Sequence, residues 1–260
     1  MRSGWLALLL AGWMPLCQAA DATVQICLGD GNEWPPYTYW ERVDGEVDRS
    51  RLTGSASTLV LTVLQRLGLP HRVRYMPWAR VQQELADFAD KGRCELTWDA
   101  SYNEERAAYA HFSEPLYQAH LGLFYSQRRF ITEPRAALVQ LHNYRVCGVI
   151  GYNYEVYSID WDIQRFPSLQ QNLDMLARQR CDFFPSEIEP LYGGVALGAY
   201  EADGLRHIRL PGHKAFHLML SKGSARGEAL ISAINRELRA MAASGEAEAI
   251  RQRFLPPGVD

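Results

Sequence analysis

The chain runs through one alternating pattern twice, and that repetition limits the folds open to it. Periodicity predicts a strand over Val24–Leu28, a helix over Ser57–Leu67 that Gly68 ends, and a strand over Arg72–Met76. An amphipathic helix over Trp78–Ala89, with Val81, Leu85 and Phe88 on one face, then leads to a strand over Cys94–Trp98. An extended run, Ala119–Ser126, carries the chain past Pro134, and the pattern restarts. It gives strand Arg145–Ile150, helices Tyr154–Asp160 and Leu169–Arg178, strand Cys181–Phe184 and helix Glu187–Leu197. A second extended run, Ala215–Ser221, precedes a helix over Ala225–Ala243 and a terminal helix near Glu246–Phe254. Strands alternating with helices predict an α/β protein with mainly parallel sheets, whose ligands sit beyond the carboxyl ends of the strands. Two crossings between two such units predict a hinged cleft, with 21–119 plus 216–260 as the first lobe and 120–215 as the second.

Composition supports this reading and removes some others. A chain of 260 residues with 47% hydrophobic content can bury a sizeable core. Its net charge of −3 gives no electrostatic reason to expect a nucleic-acid partner. The first twenty residues read as a cleaved signal peptide: Arg2 supplies the positive start, Trp5–Met14 the apolar stretch, and Cys17-Gln18-Ala19-Ala20 the cleavage zone. The apolar stretch is short for a membrane span, and no later segment approaches about 20 continuous apolar residues. Lipid anchoring at Cys17 is not expected, because Pro15-Leu16 lacks the small residue that normally precedes a lipidated cysteine. The expected destination is the periplasm, an oxidising compartment.

Export gives the remaining cysteines a meaning. Cys27, Cys94, Cys147 and Cys181 form no CxxC pair, so no metal site is expected from them. Their contexts rhyme. Cys27 and Cys147 each lie on a short strand running into an aromatic-rich loop, whereas Cys94 and Cys181 each open a strand after a basic residue. Two similar lobes, each with one cysteine of each kind, favour Cys27–Cys94 and Cys147–Cys181 among the three possible pairings, with four buried thiols as the other reading. His213 and His217 are four apart, but they flank a predicted strand and are read as solvated or core histidines.

The run from Cys94 to Tyr117 carries the strongest chemistry. A strand enters the polar turn Asp99–Asn103, then a short helical segment with Arg106, then His111-Phe112-Ser113-Glu114-Pro115-Leu116-Tyr117. An arginine just beyond a strand's carboxyl end, beside amide and hydroxyl donors, can hold a carboxylate with two parallel hydrogen bonds. This run resembles the family 3 solute-binding proteins of bacterial periplasms, and the resemblance extends over essentially the whole mature chain. It implies a two-lobed periplasmic-binding-protein-like fold, each lobe a mainly parallel sheet flanked by helices, with two crossover strands as a hinge.

The resemblance also implies a set of ligand-binding residues. Trp34, in Glu33-Trp34-Pro35-Pro36-Tyr37, and Trp78, opening the second long helix, match the family's aromatic pocket walls. Ser101 and Arg106 match its carboxylate-binding serine and arginine, while Asp99 falls where many relatives carry Ser, Ala or Gly. In the second lobe Gly151-Tyr152-Asn153 stands in place of a Gly-Thr-Thr-like helix start, and Glu187 takes the place of an aspartate that binds a ligand amino group. Asp182 is read as a cap. Tyr152, Tyr154, Tyr157 and Tyr192 either line or pack the second lobe's side of the cleft.

These residues imply a non-catalytic protein that captures an amino acid or related zwitterion for an ABC-type importer in the inner membrane. The resemblance implies no cofactor and no metal, and the protein is expected to be a monomer. Two alternatives share the fold: a ligand-binding partner of a membrane sensor, and an enzyme similar to cyclohexadienyl dehydratases, in which Glu187 would serve as a general acid.

Overall fold

In a computed structural model of the protein, residues 23–29, 33–135, 138–159 and 161–254 are described. The expected signal peptide and Cys17 lie outside them. Strand β1 (Val24–Gly29) is paired on both sides and buries Val24, Ile26 and Leu28 on one face and Cys27 on the other. The hairpin β2 (Tyr39–Val43) and β3 (Glu46–Thr53) follows, then α1 (Ser55–Arg66), β4 (His71–Met76), α2 (Trp78–Ala86) and α3 (Phe88–Lys91). Next come β5 (Leu96–Ala100), α4 (Glu104–Tyr109) and β6 (Ala110–Phe112). Strands β4 and β5 flank β1, both in parallel, and this central parallel position explains why Val24, Ile26, Cys27 and Leu28 are all buried.

Strand β7 (Tyr117–Ser126) leads into the second lobe, where β8 (Cys147–Val149) pairs in parallel with β9 (Gln164–Phe166). Helix α5 (Leu169–Ala177), β10 (Phe184–Glu187) and α6 (Ile188–Ala196) follow. The chain returns on β11 (Leu205–Ser221) and ends its described part with α7 (Gly227–Ala243) and α8 (Glu246–Gln252). The two crossing strands pair antiparallel, from Leu205 opposite Ser126 to Phe216 opposite Tyr117. Beyond that, β11 pairs with β5 and β6, so one strand belongs to both lobes. The seven-stranded sheet therefore has the order β10-β7-β11-β5-β1-β4, with β6 added beside β11.

Several elements differ from their sequence expectation for physical reasons. Strand β11 starts at Leu205 rather than Ala215; Pro211 and Gly212 interrupt its strand signal but sit in a register shift between Arg209 and His213, with Gly212 at φ +89°. Strand β10 covers Phe184–Glu187, three residues later than expected, and it tolerates Pro185 because it is an edge strand. The helix expected from Tyr154 is a single 3-10 turn, Glu155–Tyr157, which ends at Ser158 in the left-handed region (φ 53°). The β2–β3 hairpin is an addition to the elements that periodicity predicts. Its signal was Asp44-Gly45, both at positive φ, a pair that suits a tight hairpin turn.

The cysteines pair within the lobes, Cys27 with Cys94 and Cys147 with Cys181, and all four are buried. The first bond packs against Val81, Leu85, Ala100 and Met219; the second lies in the core with Val149, Leu169, Leu173 and Leu176. Non-reducing peptide mapping of the exported protein should recover these two links alone. Replacing Cys147 and Cys181 together by alanine should lower unfolding stability by about 2–4 kcal/mol in a denaturant titration. An unchanged midpoint would contradict the role assigned to that link.

Candidate ligand-binding site

The loop before β2 delivers the first wall. Arg42 donates two parallel hydrogen bonds to the Glu33 carboxylate, at 2.5 and 2.9 Å, and the Trp40 amide donates to the same group. That fork anchors the loop in which Trp34 sits, buried, with its ring edge-on to Tyr152 at 5.8 Å and 6.1 Å from Phe216. Trp34, Trp78, Trp98, Tyr152 and Phe216 line a cleft between the lobes together with Thr38, Asp99, Ser101, Arg106, Asn153, Glu187 and Lys214. Its cavity volume of about 60 Å³ suits a compact ligand.

Arg106 is fixed by its helix and held by neutral oxygens. Asn103 caps α4, its side chain accepting from the Arg106 amide at 2.9 Å. The guanidinium donates from Nε to Gln82 Oε1 at 2.9 Å, from Nη1 to Ser101 O and Oγ at 2.7 and 3.1 Å, and from Nη2 to Gly151 O at 2.8 Å. Only one of its five N–H groups is left over. Arg106 is 3% exposed, and among the described residues no carboxylate lies within ion-pair distance of it. Burial lowers its pKa from the ordinary value, and only the more distant charges around it, Glu105, Glu155 and Glu187 among them, oppose that.

Gly151 O accepts from three first-lobe donors: Trp78 Nε1 at 3.1 Å, Gln82 Nε2 at 3.0 Å and Arg106 Nη2 at 2.8 Å. It is thus the Gly151 carbonyl that faces Arg106. Other contacts also tie the lobes. Asn153 Nδ2 donates to Tyr102 O at 2.9 Å, and the Tyr200 hydroxyl donates to Glu33 O. At Gly193 on α6 a Cβ would stand 2.8 Å from Pro35 O, so helix and turn can meet this closely only with glycine there.

The second lobe contributes a complete ammonium cage that is filled by the protein's own lysine. Lys214 Nζ donates to Glu187 Oε1 at 2.8 Å and to Asn153 O at 2.6 Å, and it lies 5.6 and 5.7 Å from the Tyr157 and Phe216 ring centroids. Burial lowers the Lys214 pKa, and the Glu187 carboxylate works against that. Glu187 also accepts weakly from Tyr157 at 3.5 Å.

Asp99 sits at φ 60°, unusual for a residue with a side chain. Its carboxyl accepts from Tyr117 Oη at 2.8 Å and is bonded to Thr38, whose hydroxyl in turn accepts from Trp98 Nε1 at 2.9 Å. Tyr117 is stacked between Tyr37 (3.6 Å) and Phe216 (4.9 Å), so the carboxyl, the crossing strands and the Trp34 loop are linked through one column of rings. Desolvation in the cleft pushes the Asp99 pKa up to about 7, against the two hydrogen bonds, which lower it.

All nine residues named from the sequence come near the cleft, eight of them lining it and Gly151 reaching its edge through the carbonyl. Sequence reading missed Lys214, Phe216, Trp98, Thr38 and Gln82. Of the other residues considered, Asp182 is a structural anchor: despite its burial, Arg145 and Arg129 hold its carboxyl below the ordinary aspartate range. Tyr154 Oη accepts from the Val149 amide, Tyr192 Oη meets His207 Nδ1, His213 packs on His120 at 4.3 Å, and His217 Nδ1 faces Ser113 O at 2.8 Å. Among the described residues no cluster of His, Cys, Asp or Glu is arranged to hold a metal ion. Nor is any helix there long and apolar enough to cross a membrane.

Two lobes joined by a pair of crossing strands around an interlobe cleft define a binding-protein architecture. The sequence matches the bacterial extracellular solute-binding proteins, family 3, over residues 26–257, and the chain belongs to that family. Among solved structures it is similar to a histidine kinase sensor domain with similarity to periplasmic binding proteins, at 20% identity, 91% coverage of this chain, 98% of that one and a TM-score of 0.72. It is also similar to the substrate-binding protein of an amino acid ABC transporter (15%, 88% and 98%, 0.70). A third is an ancestral amino-acid-binding protein described as a precursor of cyclohexadienyl dehydratase (13%, 89% and 95%, 0.66). At these identities the likeness concerns the fold. No curated protein matches the chain.

Two measurements test the geometry. Because the Asp99 pKa is raised above its unfolded value, the native state holds this proton more tightly, so stability from it is full below about pH 4 and is lost as pH rises toward about 7. Asp99→Asn should therefore gain on the wild type between pH 5 and pH 8, by on the order of 2 kcal/mol after allowing for solvent in the cleft. Parallel melting curves across that range would contradict the raised pKa. Gly193→Val should leave both lobes folded but hold them apart, giving a larger radius of gyration in solution scattering and at least tenfold weaker ligand binding. Unchanged affinity would show that the α6–Pro35 approach is not needed for closure.

Proposed function

We propose that this chain is a periplasmic, non-catalytic receptor that closes its lobes on a small carboxylate-bearing ligand and presents it to an inner-membrane ABC permease. The lobes divide at 119/120 and 215/216, and β7 with β11 forms the hinge. One observation carries this reading: Arg106 is a buried cation bonded only to neutral oxygens. Burying an unpaired charge is costly, and an external anion is the natural way to offset it. The aromatic walls exclude water around that anion and strengthen its attraction to the guanidinium.

The similarity to a sensor domain supports a second destination, in which the closed form is read by a membrane receptor. Loss of ligand uptake on deleting the chain identifies the importer; intact uptake with a lost transcriptional response identifies the receptor. The dehydratase reading requires Glu187 to carry a proton, whereas Lys214 engages it as an ion-paired acceptor.

A thermal-shift screen of the mature protein against small carboxylates, amino acids among them, tests the proposal. A ligand at 100 times its Kd should add about 2.7 kcal/mol of stability. Arg106→Ala should stay folded yet bind more weakly by roughly 2–5 kcal/mol in calorimetry. Arg106→Lys should also bind poorly, because an ammonium with three donors cannot hold Gln82, Ser101 and Gly151 O and still reach the ligand. Wild-type affinity in Arg106→Ala would remove the arginine from the site.

A further inference from the structure

The ammonium place of the cleft is built from the protein itself. A carboxylate (Glu187), a carbonyl (Asn153 O) and two ring faces (Tyr157 and Phe216) converge on one point, and Lys214 Nζ is there. Lys214 is 7% exposed and reaches this point from β11, the strand shared by both lobes. From these contacts we infer that the ligand is a small organic carboxylate lacking an amino group, and that Lys214 is the residue that excludes amino acids. This rests on the binding-protein reading above and narrows its ligand.

The charge balance supports it. Among the groups lining the cleft, Arg106 and Lys214 are cations and Glu187 is an anion, so one positive charge is left for a monoanion when Asp99 carries its proton. An ammonium arriving with the ligand would meet a Glu187 already taken. Displacing Lys214 would strand its buried charge away from its carboxylate. The other carboxyl lining the cleft is Asp99, whose oxygens are bonded by Tyr117 and Thr38 and whose pKa burial raises to about 7. Lys214 uses two of its three N–H groups on Glu187 and Asn153, and Arg106 keeps one of five. Those two remaining donors suit an anionic oxygen and a neighbouring hydroxyl or keto oxygen.

Calorimetry on the mature protein with acids matched in skeleton decides this: L-phenylalanine against 3-phenylpropanoate and its 2-hydroxy and 2-oxo forms, L-leucine against 4-methylpentanoate and its analogues, and L-alanine against propanoate, lactate and pyruvate. The expected result is an amine-free acid binding at least tenfold more tightly than its amino acid. Lys214→Ala should reverse that order by freeing Glu187. The double variant Glu187→Gln with Lys214→Met, which leaves no unpaired buried carboxylate, should fold and should not gain amino-acid binding. An amino acid binding the wild type as tightly as its amine-free partner would overturn the inference while leaving the receptor reading in place. So would amino-acid binding that Asp99→Asn abolishes, since it would put the ammonium on Asp99. In the double variant, a preference for the amino acid would overturn it too. Absence of binding across the whole panel would overturn the receptor reading itself, and the inference with it.

Discussion

The guanidinium of Arg106, buried and bonded only to neutral oxygens, organises the rest of the cleft. It ties α4 to α2 through Gln82, to the end of β5 through Ser101, and to the second lobe through Gly151 O. Each of those partners has its own reason to be there. Asn103 starts the helix that carries the arginine, Ser101 follows the strand that Cys94 precedes, and Gly151 adopts φ +80° so that its carbonyl can meet three donors. A charge so placed is expensive without an anion. The fold can hold it because the surrounding oxygen acceptors are already oriented toward the guanidinium.

The second organising feature is that β11 serves both lobes. Its outer part pairs with β7 and its inner part with β5 and β6. Lys214 and Phe216 lie where it passes from one to the other, so the connection between the lobes and the lining of the cleft share these residues. The ring column of Tyr37, Tyr117 and Phe216 braces this point against the first lobe. In the second lobe the His120 ring and amide engage Glu189, and His213 packs against that ring. Lys214 from the shared strand and Arg106 from α4 thus line one small volume.

The parts that follow a period were legible in the sequence. The strand–helix alternation and the amphipathic face of Val81 and Leu85 led to the α/β class, and the rhyming cysteine contexts led to the pairs Cys27–Cys94 and Cys147–Cys181. The family resemblance then brought Trp34, Trp78, Ser101 and Arg106 to one cleft. What was not legible depended on long-range pairing. Lys214 lies one residue before the expected extended run, in a segment whose Pro211-Gly212 hides the strand that places it. Gln82 reads as an ordinary polar helix position, and only the approach of Gly151 gives it a role. Glu187 opens α6 as its N-cap, as the sequence suggests, but it also ends the edge strand β10, and the long-range approach of Lys214 gives its carboxylate a partner.

A crystal structure of the protein with its tightest-binding acid tests the account most directly. The account predicts the ligand carboxylate within hydrogen-bond distance of Arg106, between the Trp34 and Trp78 rings, with Lys214 Nζ still on Glu187. A ligand bound outside the interlobe cleft, or a ligand ammonium on Glu187 with Lys214 displaced, would contradict it.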